Sequence, residues 1–271
     1  MKSKPNPKTP NPKPPQPKAP QAKAPQLKTY SETQQPQWAD ALAHLSTADP
    51  KLAALIAQVG PCTMQIPHEF SIFFSLARSI VYQQLAGAAA AAIMGRVEGL
   101  FPKGRMTPKN LLAMEETALR SAGLSQNKLL ALRDLAAKCL DATVPNKRAL
   151  ARMEDEEIIE RISQVRGIGR WTVEMMLLFR LGRPNVLPVD DYGVRKGMQR
   201  LYKMRELPNK DAMRRRARKW HPWCSIASWY MWRCADLPGP KPRKSAASKV
   251  AAKNPRRKRP SSRSVSGRVA G

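Results

Sequence analysis

From residue 38 to residue 237, apolar positions recur at three- and four-residue spacing, interrupted by Gly, Pro and short polar stretches, while alternating runs of β-branched residues are scarce. This pattern predicts an all-α fold. Helices are expected to begin near Trp38, at Pro50 after Asp49, near Phe70, Gly87 and Lys109, at Gln126 after Ser125, and near Lys147 and Asp155. Several of these starts carry residues suited to capping free N–H groups. Further helices are expected over Trp171–Arg180, Tyr192–Tyr202, Asp211–Trp220 and Cys224–Ala235. The run from Ser71 to Met94, SIFFSLARSIVYQQLAGAAAAAIM, is apolar with a polar interruption at Gln83 and Gln84, where a turn between two buried helices would face a ligand.

The pattern stops at both ends. Residues 1–37 are Lys-Pro-Ala-Gln low complexity with ten prolines and read as a disordered arm with almost nothing apolar to bury. Residues 238–271 read as a disordered basic tail whose densest charge is Arg256, Arg257, Lys258 and Arg259. That cluster fits a nuclear localisation signal, a tether onto DNA, or a solvated tail with no specific role. A single helical domain is expected over 38–237.

Charge narrows the partner. The 271 residues carry 48 Lys+Arg against 20 Asp+Glu, a formal net charge of +28, and +10 of this lies on residues 32–237, outside the arms. A surface that basic gains affinity for polyanions by releasing their condensed counterions, so nucleic acid or an anionic membrane surface is the first partner class to consider. No apolar run is long enough to cross a bilayer, and the start MKSKPNPK continues in Pro and Lys rather than an apolar signal core. The expected location is the cytoplasm or nucleoid of a bacterium, or the nucleus of a eukaryote. Cys62, Cys139, Cys224 and Cys234 match no zinc-ribbon or ferredoxin spacing and read as partly buried free thiols.

The candidate chemistry lies in Gln164–Gly197, QVRGIGRWTVEMMLLFRLGRPNVLPVDDYGVRKG. Residues 163–171 read as a hairpin: a tight turn with Gly167 and Gly169 joins one helix to the next, which opens at Arg170, Trp171 and Thr172. Glycines permit close backbone approach, and a helix start exposes N–H groups and the positive end of its dipole, which suits phosphate. Arg166 and Arg170 would add charge. A helix-hairpin-helix of this kind binds DNA backbone without reading sequence; an ordinary helix-to-helix connection is the other reading. Past the hairpin, LPVDDYG places Asp190 and Asp191 at the start of another helix in an otherwise basic chain. One could cap the helix; two adjacent acids are more than capping requires.

With that continuation the chain resembles the helix-hairpin-helix-GPD superfamily of DNA base-excision glycosylases, and within it the 3-methyladenine DNA glycosylase II branch. The resemblance spans roughly Ala41 to Leu237, taking in HLSTADPKLAALIAQVGPC, ARSIVYQQLAG and WHPWCSIASWYMW. It implies two helical subdomains flanking an active-site cleft. The essential aspartate falls on Asp191, with Asp190 as second choice and helix-capping neighbour. Where bifunctional relatives carry a Schiff-base lysine, this chain has Trp171, which implies a monofunctional enzyme using water as nucleophile. Only Cys224 and Cys234 follow the hairpin, so no iron-sulfur cluster is expected and no cofactor is required. The family also implies a structural sodium or potassium ion on the carbonyls of Ser163, Val165 and Ile168. Where the family often has Pro before the first hairpin glycine, Arg166 stands here.

The activity implied is excision of alkylated bases of the 3-methyladenine and 7-methylguanine type from double-stranded DNA, by a monomer that flips the nucleotide out and leaves an abasic site. An ionised Asp191 would stabilise the sugar cation and orient water. Trp171, Tyr192 and Trp232 are the candidate walls for a cationic base, with core packing the alternative for Trp232, and Asp190 is a further candidate contact to the base. Gln84 or Leu85 matches where the family fills the gap left by the flipped base; a buried helix joint is the alternative. Gly167, Ile168, Gly169 and Thr172 join Arg166 and Arg170 as candidate DNA contacts. Trp220, Trp223, Trp229, Met175 and Met176 read as core, and His44, His68 and His221 as structural residues. Two other functions remain open on the residues: a non-catalytic helix-hairpin-helix DNA-binding protein, and a same-fold glycosylase for another lesion.

Overall fold

The computed structural model describes residues 35–238, and the two arms inferred at the chain ends lie outside them apart from the first residues of the first helix. Among the described residues the secondary structure is helical, without strands. The helices are α1 (Gln35–Ala48), α2 (Pro50–Val59), α3 (Ile72–Tyr82), α4 (Gly87–Gly99), α5 (Pro108–Ala113), α6 (Glu116–Ser121), α7 (Gln126–Leu140), α8 (Lys147–Leu150), α9 (Asp155–Ile162), α10 (Arg170–Met176), α11 (Tyr192–Leu201), α12 (Lys210–Ala217) and α13 (Cys224–Asp236).

Caps set many of the starts. The side chains of Asp49, Ser71, Thr107, Ser125 and Asn146 accept hydrogen bonds from the first-turn N–H groups of α2, α3, α5, α7 and α8. The cap at Ser71 moves the expected start near Phe70 to Ile72. The short α6 had no counterpart in the sequence pattern. Residues 171–180, expected as one regular helix, split: α10 gives way to a π-helical turn at Leu177–Leu181, stopped by Gly182 at φ +65°.

Two hydrophobic cores form. The first gathers α3 through α10, from Ile72 to Val186, around fully buried residues such as Leu76, Leu111, Leu132 and Leu177. The second joins the first and last of the described helices, packing Leu45, Leu52 and Leu55 of α1 and α2 against Val194, Met213, Trp220 and Tyr230 of the last three helices and their connections. Phe179 and Trp232 pack against both. Trp220 and Trp229 are buried and Trp223 packs on the second core, as their spacing implied.

One buried acid ties the second core together. Asp49 caps α2, and its other oxygen accepts hydrogen bonds from the Tyr202 hydroxyl, from Trp220 Nε1 at 3.2 Å and from Lys219 Nζ at 2.9 Å. Burial pushes this carboxyl up, yet the hydrogen bonds from Tyr202, Lys219, Trp220 and the Leu52 N–H outweigh it and hold it below the usual carboxylate range. The four cysteines are free, with Cys224 and Cys234 buried.

Candidate active site

The hairpin joins α9 to α10. Its turn is closed by Val165 N–H to the Ile162 carbonyl and Ile168 N–H to the Val165 carbonyl, with Gly167 at φ +77°. Gly169 opens α10, and the N–H groups of Gly167, Gly169, Arg170 and Trp171 have no backbone acceptor among the described residues. The turn is braced from behind. Asp134 Oδ2 accepts from the Arg166 N–H at 2.7 Å, and Gln83 Nε2 donates to the Gly167 carbonyl at 2.8 Å. Lys128 Nζ in turn holds the carbonyls of Val81 and Gln83. The turn after α3 is therefore locked to the hairpin through Gln83. The next two residues are left exposed, with Gln84 in the left-handed region at φ 60° and Leu85 38% exposed.

Several candidate DNA contacts are placed otherwise than the sequence implied. Thr172 is buried and its N–H bonds to the Gly169 carbonyl; Ile168 is buried and its N–H is used within the turn. Arg170 is exposed, forms a two-pronged ion pair with Glu156 and lies 3.8 Å from Glu174. Arg166, Gly167 and Gly169 stay exposed. The residue that braces the hairpin, Gln83, was seen only as half of a polar pair.

Asp191 is a firmly held carboxylate. It is 8% exposed and sits where the two cores meet. Its Oδ1 accepts from the Val194 N–H, capping α11, and from Trp232 Nε1; its Oδ2 accepts from Trp171 Nε1; all three distances are 2.8 Å. The sequence reading had cast Asp190 as the cap of this helix. Asp191 is the cap, because its extended backbone directs the carboxylate over the helix start, while Asp190 points outward into an exposed ion pair with Lys210 at 2.7 Å. A base-facing role for Asp190 has no support in that placement.

Two glycines give Trp232 its reach. A Cβ on Gly197 would collide with the Met231 carbonyl, and one on Gly193 would lie 2.6 Å from the Trp232 ring. Spaced one turn apart, they let α11 lie directly against α13 and leave room for the indole beside Asp191. Trp232, for which pocket and core were both open, does both: it packs on the two cores, tilts against Phe179 at 5.5 Å between ring centroids, and donates to the carboxylate. Trp171 and Tyr192 remain 46% and 63% exposed. Asp191 thus has one oxygen anchored by Val194 and Trp232 and the other held by the indole N–H of the exposed Trp171.

Residues 77–222 match the HhH-GPD superfamily of base excision DNA repair proteins. The chain is 33% identical over 201 residues to DNA-3-methyladenine glycosylase 1 of Schizosaccharomyces pombe, covering 72% of this chain and 86% of that one. It is also similar to two solved structures. One is the Schizosaccharomyces pombe 3-methyladenine DNA glycosylase Mag1 in complex with abasic DNA, at TM-score 0.64 and 32% identity over 73% of this chain and 97% of that one. The other is a DNA-3-methyladenine glycosidase from Bacillus halodurans, at TM-score 0.67 and 33% identity over 73% of this chain and 89% of that one.

Proposed function

Since the chain belongs to the HhH-GPD superfamily of base excision DNA repair proteins, we propose that it is a monofunctional DNA glycosylase that releases alkylated bases of the 3-methyladenine and 7-methylguanine type by hydrolysing the N-glycosidic bond. The observation that carries this reading is the Asp191 carboxylate, held by three N–H donors, one of them from the exposed Trp171. Such an arrangement suits neither a surface cap nor a module that only grips phosphates.

The step follows from the geometry. DNA is held through the hairpin, where unpaired backbone N–H groups meet phosphate, and the damaged nucleotide leaves the stack between Trp171 and Tyr192. A cationic alkylated base is attracted to the ring faces and is already a good leaving group. As the bond breaks, positive charge builds on the sugar, and Asp191 Oδ2 stabilises it and orients the attacking water. No lysine stands at the Trp171 position to form a Schiff base, so the product is an intact strand with an abasic site. The exposed Gln84 and Leu85 are placed to fill the vacated space in the duplex. A monovalent cation on the carbonyls of Ser163, Val165 and Ile168 belongs to this reading; the buried Ser163 hydroxyl, which lacks a partner, favours it. We take the protein to act as a monomer.

The test is single-turnover release of methylated bases from alkylated duplex DNA by wild type and Asp191→Asn, with strand cleavage scored before and after alkali. Release by wild type alone, with breaks only after alkali, is the expected result. Equal release by the variant removes Asp191 from the mechanism, and binding without release by wild type leaves a DNA-binding protein.

A further inference from the structure

The turn after α3 carries Gln84 and Leu85 into the open, and its own backbone does little to keep it in one shape. Gln84 stands in the left-handed region at φ 60°, one residue past the helix cap, where glycine or asparagine is usual. The Leu85 N–H reaches the Tyr82 carbonyl at 3.4 Å, a long bond for a tight turn. A side chain held in that region persists only where its surroundings fix it.

Lys128 supplies what the backbone lacks. From the first turn of α7 its ammonium donates to the Val81 carbonyl at 2.7 Å and to the Gln83 carbonyl at 3.0 Å, on the two sides of the cap. Helix ends leave such carbonyls without partners, and a cation suits them. The placement has a cost: burial pushes the Lys128 ammonium below the usual lysine range, and no acid offsets this. The same face of α7 meets the hairpin. Asp134 Oδ2 accepts from the Arg166 N–H, and Ala131, between Lys128 and Asp134, lies 3.7 Å from where a Cβ on Gly167 would stand. Gln83 Nε2 donates to the Gly167 carbonyl and closes the third side. One helix therefore holds both the turn and the hairpin, and Lys128 is its tie to the turn.

We propose that Lys128 is a positioning residue: by tying the Val81 and Gln83 carbonyls to α7 it fixes how Gln84 and Leu85 stand relative to the hairpin, and so how firmly they fill the gap that a flipped nucleotide leaves. This rests on the gap-filling role given to those two residues above. With the tie cut, the hairpin still grips phosphates, but the turn has to be ordered each time the pair enters the duplex. The loss falls only on DNA that has a gap to fill.

The experiment measures binding to one duplex sequence with and without a stable abasic site. The proteins are wild type, Lys128→Met, Lys128→Gln, a variant lacking both exposed side chains (Gln84→Ala with Leu85→Ala), and that variant combined with Lys128→Met. Thermal melting confirms that each is folded. Wild type is expected to prefer the abasic duplex. Lys128→Met should lose about tenfold of that preference, the size of a hydrogen bond to a charged group, with affinity for the intact duplex within about twofold of wild type. Lys128→Gln, which keeps one neutral donor, should show a smaller loss of the same sign. In the protein lacking the pair, Lys128→Met should change nothing further. Single-turnover release of 7-methylguanine should fall in step with the preference. A preference unchanged by both Lys128 variants overturns the proposal, as does a parallel loss on both duplexes, which would mark a phosphate contact or a general loosening. A further loss in the combined variant overturns it too. Full preference without the Gln84 and Leu85 side chains sinks the gap-filling role and this inference with it. Wild type that prefers abasic duplex yet releases no methylated base sinks the glycosylase reading alone, and the binding ratios still decide the role of Lys128.

Discussion

Two buried carboxylates, one packed against α10 and one on it, are treated in opposite ways. Asp191, 8% exposed, receives N–H groups from Val194, Trp232 and Trp171. Glu174, on α10 and 4% exposed, has one oxygen with no partner and a single arginine at 3.8 Å that is already committed to Glu156. Burial therefore pushes the Glu174 carboxyl up to about 7, only partly opposed by Arg170, and Asp190 and Glu156 push the same way. Glu174 lines a groove of about 510 Å³ with Asn185, Arg214, Arg218 and His221. Depth of burial does not separate a working carboxylate from an uneasy one; the donors aimed at it do.

Five substitutions sharpen that contrast. Asp191→Asn is expected to cost about 100- to 1,000-fold in single-turnover base release, the range for removing one preorganised electrostatic stabiliser, with DNA affinity retained. Glu174→Gln should leave release unchanged and alter stability in a pH-dependent way. Because the folded-state pKa is raised, folding takes up a proton here: wild-type stability is full below the ordinary glutamate range and falls as pH rises through about 7. Thermal or denaturant unfolding should then find the variant more stable than wild type by about 2 kcal/mol at pH 8, allowing for solvent in the groove, and equal at pH 4. An effect of the same size at both pH values would argue against this account.

Trp232→Phe keeps the ring but removes one N–H from Asp191, and release should fall roughly tenfold, as for a hydrogen bond to a charged group. Gly193→Ala, which crowds the same indole, should give a similar loss, and the double variant should be less than additive. Additive losses would show that the two act separately. Among the residues around Asp191 the smallest effect on release is assigned to Asp190→Asn, within about fivefold of wild type, because its pair with Lys210 is exposed.

Much of this was legible in the chain. Asp49 before Pro50 and Ser125 before Gln126 mark helix starts through chemistry local to a few residues, and they begin α2 and α7 as read. The hairpin and Asp191 stood out for a similar reason: glycine pairs and adjacent acids are visible without knowing the partners. What the chain did not show depends on contacts distant in sequence. Position along a helix does not say which flank is covered, so neither the burial of Thr172 nor the pairing of Arg170 with Glu156, fourteen residues away, could be read. The donation from Trp232 crosses 41 residues, and the π-helical turn leaves no recognisable spacing. One signal was available: Glu174 in EMMLLF places an acid on a run otherwise fit for the core.

The second core closes the two ends of the described fold on each other, and this has a consequence for the order in which the molecule is made. The region from Ile72 to Val186 is continuous and has its partners as soon as it emerges, but α1 and α2 wait for α11 and α13. At ordinary translation speeds the ribosome needs roughly ten to thirty seconds to go from the end of α2 to the end of α13. Trp232 lies on that final helix, so Asp191 gains its last donor only when the described fold is nearly complete. A nascent or prematurely terminated chain could already grip DNA by its hairpin while unable to cut a base loose.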